Sequence, residues 1–334
     1  MRNIEAFLKK MNKLQTIIQP VEKEMEVFKR LFAETLHKRN NDFQHIIDFI
    51  SVKNGKKIRP LLLLLSAKLC GEPNEKSIDY AIMIELLHAA TLVHDDVVDN
   101  TMERRGQPSV NATYDNRIAV LLGDYILTMA IKKATQSRSF IILDILSQVA
   151  KNLAEGELAQ LVASKESKYN TKNYFKIIWK KTAFLLSSCS ELGAISVNAS
   201  IEKLRRLRLI GENFGMCFQI RDDIFDYFEQ GNLGKPTGND IREGKITLPL
   251  IFALNTAPKS ESYYFKNIIK NRDFSPENIR LLIDFAKENR GIEYAQRIMQ
   301  EISSRTMLLL DFFPESEAKT SLISFNDYII ERET

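Results

Sequence analysis

Five residues, Asp95-Asp96-Val97-Val98-Asp99, place three carboxylates at the end of an apolar run, Ala81 to Val93, that only Glu85, His88 and Thr91 interrupt. On a helix Asp95 and Asp99 share a face, about 6 Å apart along the axis, and His88 falls on the same face. Carboxylates this close repel one another, and beside apolar surface they lose solvation. A divalent cation removes both costs. Oxygen ligands that leave room for water and a phosphate suit Mg²⁺, which rarely takes a cage made only of protein. A solvated acidic helix end would have the same composition, so this stretch alone leaves two readings.

The spacing returns at Asp222-Asp223-Ile224-Phe225-Asp226, again inside an apolar helix-like stretch. Two such clusters are poorly explained as solvated faces; across a bundle core they could face each other and hold metal together. Basic residues recur at several loops. In Gly55-Lys56-Lys57-Ile58-Arg59-Pro60, Pro60 suits a first helical turn. Lys56 and Arg59 then flank free backbone N–H groups that favour an anion, as a diphosphate clamp or simply as a solvated basic loop. Arg104-Arg105 could pair with the first acidic cluster or meet phosphates there. Lys180-Lys181-Thr182 lies in an apolar helix, where a lysine reaches either solvent or an anion. Gly234-Lys235-Pro236 and Glu243-Gly244-Lys245 add lysines and flexible backbone after the second cluster. Together these residues imply a substrate with a Mg²⁺-bound diphosphate head and an oily tail.

The elements that must position them are helical. Apolar residues recur at threes and fours, as in Ile4, Phe7, Leu8, Met11, Leu14, Ile17 and Ile18, and strand-like alternation is almost absent. Breaks at Pro20, Asn54-Gly55, Gly71–Pro73, Arg104–Pro108, Ser137–Ser139, Ser164–Asn173, Gln230–Gly238 and Ala257–Ser260 delimit roughly ten to twelve helices. Ile118–Thr135, Ile141–Ala163 and Tyr174–Ala199 are apolar around much of their circumference, as central bundle helices or cavity walls are. The expectation is an all-α fold, one large helical bundle over residues 1–334 with no composition break inside it. A net charge of +4 in 334 residues gives no sign of a nucleic-acid surface or a disordered chain. Cys70, Cys189 and Cys217 lack metal spacing and read as reduced, buried thiols. Met1 to Lys13 lacks the apolar core of a signal peptide, and Leu61–Leu65 is too short to span a bilayer. The expected compartment is the cytoplasm.

Taken in order, the stretch Gly55–Pro60, His88, Asp95–Asp99, Arg104-Arg105-Gly106, Lys181-Thr182, Phe218-Gln219, Asp222–Asp226, Gly234–Pro236 and Glu243–Leu250 resembles the all-trans isoprenyl diphosphate synthases, the polyprenyl synthetase family. Gly291–Tyr294 and Pro314–Tyr328 are similar to that family's C-terminus, so the likeness covers nearly the whole chain. The resemblance implies the isoprenoid synthase type of bundle around a deep central apolar cavity. It implies condensation of isopentenyl diphosphate with an allylic diphosphate, farnesyl or shorter, in a homodimer that meets a membrane at product release. Asp95 and Asp99 would bridge two Mg²⁺ ions on the allylic diphosphate, and Asp222, supported by Asp226, would hold a third. Arg104, Lys181, Lys235 and Lys245 would neutralise that diphosphate, while Lys56, Arg59, His88 and Arg105 would bind the isopentenyl diphosphate. Thr182, Gln219 and the Lys181 carbonyl would stabilise the allylic cation. Asn54 replaces the first of two glycines usual before the first lysine, and Asn tolerates left-handed backbone.

Product length follows from pocket volume. Thr91 is one turn below Asp95 and Ala90 lies five residues before it, where short-chain members carry bulky aromatics. With Leu87–Asp96, this pattern looks most like the long-chain bacterial octaprenyl-type synthases that make quinone side chains. The expectation is a product from hexaprenyl to decaprenyl, unless a deeper residue such as Leu146 closes the pocket. The rivals are a geranylgeranyl diphosphate synthase, a terpene cyclase and a non-catalytic subunit of a two-component synthase. A cyclase needs no second diphosphate site, and a non-catalytic subunit should have lost its aspartates.

Overall fold

A computed structural model describes residues 13–37, 44–51, 55–104, 106–228 and 237–331. Their fold is all-α. The helices are α1 (Glu22–Leu36), α2 (Gln44–Ser51), α3 (Ile58–Cys70), α4 (Glu75–Val98), α5 (Val110–Thr113) and α6 (Asn116–Gln136). There follow α7 (Phe140–Glu166), α8 (Thr171–Ile178), α9 (Phe184–Ser196), α10 (Ile201–Phe225) and α11 (Asn239–Arg242). The chain closes with α12 (Leu248–Thr256), α13 (Lys259–Lys270), α14 (Pro276–Glu288), α15 (Gly291–Leu310) and α16 (Glu317–Glu331). A π turn, Trp179–Ala183, links α8 to α9 in one continuous helical run. Among the described residues the β structure is one antiparallel pair, β1 (Glu103–Arg104) and β2 (Gln107–Pro108).

Burial explains which helices are central. All five leucines of Leu61–Leu65 are fully buried, so α3 is enclosed on every side. Each such side chain contributes roughly 1.5–3 kcal/mol of burial free energy. Helix α4 packs chiefly on α6, while α9 lies between α3 and α10, and α10 in turn carries α15. One connected apolar cluster runs from Ile17 to Ile329. The N-termini of the long helices are capped from the sequence. Asn74 and Ser77 form a capping box at α4, and Asp115 and Ser200 cap α6 and α10.

More helices are present than the breaks predict. The region after Lys259 divides into four, and its divisions carry little glycine. Arg272 and Arg290 take left-handed backbone (φ 53° and 56°) at helix ends, as do Arg138, Ser167 and Asn198 elsewhere. Glycine is the usual residue for that conformation, and at these positions other residues take it, so the ends are poorly marked in the sequence.

Candidate active site

Both aspartate motifs sit at the C-terminal ends of long helices. Asp95 lies in the last turn of α4, and Asp99 caps it, its N–H donating to the Asp95 carbonyl at 2.8 Å. Asp222 and Asp223 lie in the last turn of α10, and Asp226 is its cap. A helix C-terminus carries partial negative charge from its free carbonyls. Six carboxylates at two such ends form a place that demands cations.

The cations that answer come from elsewhere in the chain. The β1–β2 hairpin turns through Gly106 (φ 74°) and sends Arg104 back onto the buried Asp96, Nε to Oδ1 2.6 Å. The remaining four guanidinium hydrogens stay available to a phosphate. Lys245 reaches Glu243 at 2.6 Å and Asp99 at 3.4 Å. These partners raise its ammonium above the ordinary lysine range against the opposing effect of burial. Lys181, on the π turn, meets Glu157 at 2.5 Å and Gln160 at 2.7 Å. Burial first, then Glu157, pushes Asp95 up to about 6, against the opposing pull of Lys181 and Arg104.

The second motif divides its work. Both oxygens of Asp226 accept backbone N–H groups, from Asn239 at 2.9 Å and Asp240 at 3.0 Å. That clamps the start of α11, and the Lys245 N–H then bonds the Asp240 carbonyl at 2.7 Å. Asp226 therefore fixes the loop that delivers Lys245 to Asp99 of the first motif, and the two motifs meet through this lysine. Asp223 is buried and takes a different set of donors. Tyr174 Oη donates to Oδ2 at 2.6 Å, and Gln219 Nε2 donates to Oδ1 at 2.8 Å. Burial still pushes its carboxyl up to about 7, and it raises Asp240 strongly as well. Thr182 Oγ1 donates to Gln219 Oε1 at 2.8 Å, which completes a chain from Tyr174 to Thr182. A cleft of about 190 Å³ opens beside this chain. Lys181, Gln219, Asp223, Asp240 and Lys245 line it, together with Ile177, Ile246 and other apolar groups.

The basic entrance stands farther back along α4. Lys57 begins α3 in left-handed backbone (φ 48°) and pairs with the buried Glu85 at 2.9 Å. Lys56 is exposed near the Tyr328 ring, while Arg59 and His88 are half-buried. Glu85 is ten residues before Asp95, so the Lys57–Glu85 pair lies about 15 Å down the α4 axis from the motif, and His88 about 10 Å. Ala90 and Leu146 are buried in the core cluster, and Thr91, half-buried, donates its hydroxyl to the His88 carbonyl at 2.9 Å. Arg105 and Lys235 lie outside the described residues.

Several participants were not singled out by their sequence: Glu85, Glu157, Gln160, Tyr174, and Asp223 as a buried acceptor. Glu155-Gly156-Glu157 in an otherwise apolar helix was the available signal for the partners of Lys180 and Lys181. Nothing in the sequence announced the π turn.

The sequence model of the Polyprenyl synthetase family matches residues 40–285. The octaprenyl diphosphate synthase of Haemophilus influenzae is 33% identical over 85% of this chain and 86% of its own length. Among solved structures, a polyprenyl synthase from Caulobacter crescentus, complexed with calcium and isoprenyl diphosphate, superposes with a TM-score of 0.89 at 28% identity, covering 96% of this chain and 98% of its own. A geranylgeranyl pyrophosphate synthase from Bacteroides thetaiotaomicron does so with a TM-score of 0.83 at 38% identity, covering 96% and 100%. With three quarters of its length inside the family match and its fold shared end to end, the chain belongs to the polyprenyl synthetase family and is a prenyltransferase.

Proposed function

We propose that this enzyme, working as one catalytic domain, condenses isopentenyl diphosphate head-to-tail with an allylic diphosphate. Repeated additions build a long all-trans polyprenyl diphosphate that serves as a quinone side chain. The observation that carries the reading is the meeting of two aspartate motifs, both at negative helix ends, through the Asp226-clamped loop and Lys245. The donor set fits a hard divalent ion. The groups are carboxylate oxygens, the hard donors that Mg²⁺ takes together with phosphate oxygens and water. Asp95, Asp99, Asp222 and Asp226 would hold it. Bound there, Mg²⁺ supplies positive charge that stabilises the departing diphosphate.

The chain's own residues account for the rest. Arg104, Lys181 and Lys245 neutralise the allylic diphosphate, and Lys235 joins them; Lys56, Arg59, His88 and Arg105 hold isopentenyl diphosphate. The allylic C1–O bond breaks with its electron pair going to the diphosphate. Thr182, Gln219 and the Lys181 carbonyl turn oxygen lone pairs toward the cation so formed. The isopentenyl double bond supplies the electrons of the new C–C bond. The resulting cation then loses a proton to the departed diphosphate, which restores a double bond. The tail runs down past Ala90, Thr91 and Leu146, and the apolar walls keep water from the cation.

Resemblance to an octaprenyl synthase and the small Ala90 support a long product. The 38% identity to a geranylgeranyl synthase supports the shorter alternative. Two complete aspartate motifs argue against a non-catalytic subunit. Leu121 on α6 and Phe140 on α7 are 67% and 89% exposed, apolar surface of the kind that a homodimer would cover. No described helix is long and apolar enough to cross a membrane; in this reading the enzyme stays in the cytoplasm, touching a membrane only to release product. Chromatography of products from pure protein, Mg²⁺, isopentenyl diphosphate and farnesyl diphosphate tests the whole. Chains of six or more units are expected; a product that stops at geranylgeranyl selects the alternative, and no condensation refutes the function.

A further inference from the structure

The chain of hydrogen bonds from Tyr174 to Thr182 has a fixed polarity. Tyr174 Oη and Gln219 Nε2 both donate to the buried Asp223 carboxylate. With its amide nitrogen committed there, Gln219 can offer Thr182 only an oxygen, so the Thr182 hydroxyl must donate at 2.8 Å. What remains on Thr182 to face the reaction is lone pairs. The same reasoning leaves Gln219 with an oxygen, not an N–H, at that end of its amide.

The π turn makes this possible. Tyr174 and Thr182 are eight residues apart, which in an α-helix sets them about 80° apart around the axis. Trp179–Ala183 absorbs one residue and brings the separation to about 20°, so both side chains address α10. They meet Asp223 and Gln219, one turn apart on that helix and in antiparallel order. Two glycines hold the turn in place. A Cβ at Gly215 of α10 would overlap Ala183 Cα, and one at Gly156 of α7 would come within 3.0 Å of the Lys181 backbone nitrogen.

We propose that Tyr174 and Asp223 are positioning residues for the condensation. They lock the Gln219 amide, and through it the Thr182 hydroxyl, so that only oxygen lone pairs face the allylic cation. Released from Asp223, the amide can reverse; Thr182 then turns its proton toward the cation, which repels it. The inference rests on the reading of Thr182 and Gln219 as the cation-facing groups.

The test is a double-mutant cycle on kcat. Tyr174→Phe keeps the ring and removes one donor. It is expected to lower kcat about tenfold or more, with KM for both diphosphates within about twofold of the parent. In a Gln219→Leu background Tyr174 has no amide left to orient, and the same substitution should then change kcat less than about twofold. Asp223→Asn, whose amide donates as well as accepts, is read in the same cycle and should follow the same pattern. Melting temperatures and allylic diphosphate binding by calorimetry accompany each variant, since a merely structural tyrosine would lower both in either background. Full kcat in Tyr174→Phe, or a loss that persists in Gln219→Leu, overturns the inference while leaving the function intact. A parent enzyme that condenses nothing overturns the function instead.

Discussion

Replacing Ala90 by Phe tests where the growing chain runs. Ala90 is five residues before Asp95, about 7.5 Å down the α4 axis. An extended isoprene unit spans about 5 Å, four bonds of roughly 1.5 Å in a zigzag. The phenyl ring adds six carbons where a passing unit carries five. A wall at that depth leaves room for one or two units below the site, besides the unit being added. Product should therefore stop at about two or three units in place of six to ten, and farnesyl diphosphate should fail or become a poor primer. Leu146 marks a second level. It lies eleven residues before Glu157, whose charge Asp95 feels, which sets it about 16 Å down α7. A bulky residue there should stop the chain later than one at Ala90, and the two stops should differ by one or two units. The assay is reverse-phase chromatography of dephosphorylated products with a melting curve for each variant. Ala90 is also a core residue. If it faces packed protein and not the tail, Phe overpacks the core, costs about 1–3 kcal/mol and leaves product length unchanged. That pair of results would refute the route.

Asp95→Asn should abolish more than about a thousandfold of kcat, in line with losing a metal-held electrostatic contact. Burial, aided by Glu157, raises the Asp95 carboxyl to about 6 in the fold, so the folded state binds its proton more tightly than the unfolded one does. The carboxylate thus destabilises the metal-free fold as pH rises through the window from about 4 to about 6. Asp95→Asn should accordingly gain about 3 kcal/mol in EDTA at pH 7, read by urea melts, with the gain gone below about pH 4. Lys57→Ala should cost about 3 kcal/mol, because it leaves the buried Glu85 without its cation; urea melts that match the parent would contradict this pairing. Burial pushes Cys189 and Cys217 up to about 12 and Cys70 up to about 11. An aromatic disulfide reagent should therefore titrate Cys70 slowly and the other two only after unfolding.

Much of this molecule was legible before its fold was known, for reasons that differ by residue. The α6 and α7 boundaries followed from hydrophobic period and serine-marked ends, and the observed limits differ from the expected ones by one to three residues. The aspartate motifs stood out because carboxylates are costly in apolar helix. The role of Asp226 did not, because its partners are backbone N–H groups thirteen and fourteen residues away, which spacing cannot reveal. Asp223 was hidden for a related reason: a burial of this depth is set by Tyr174 and Gln219 arriving from other turns. The π turn was invisible because it changes register without changing composition.

The helix ends in left-handed backbone have a practical side. A non-glycine residue in that conformation costs roughly 1–2 kcal/mol. Arg138, Asn198 and Arg290 each hold such a position away from the aspartate motifs. Arg272 is different, since its guanidinium donates to the Ser164 carbonyl beside the cleft. The first three are therefore places where glycine could harden the scaffold for use at higher temperature, or absorb the damage of bold changes to the tail's path, without touching a group the chemistry uses.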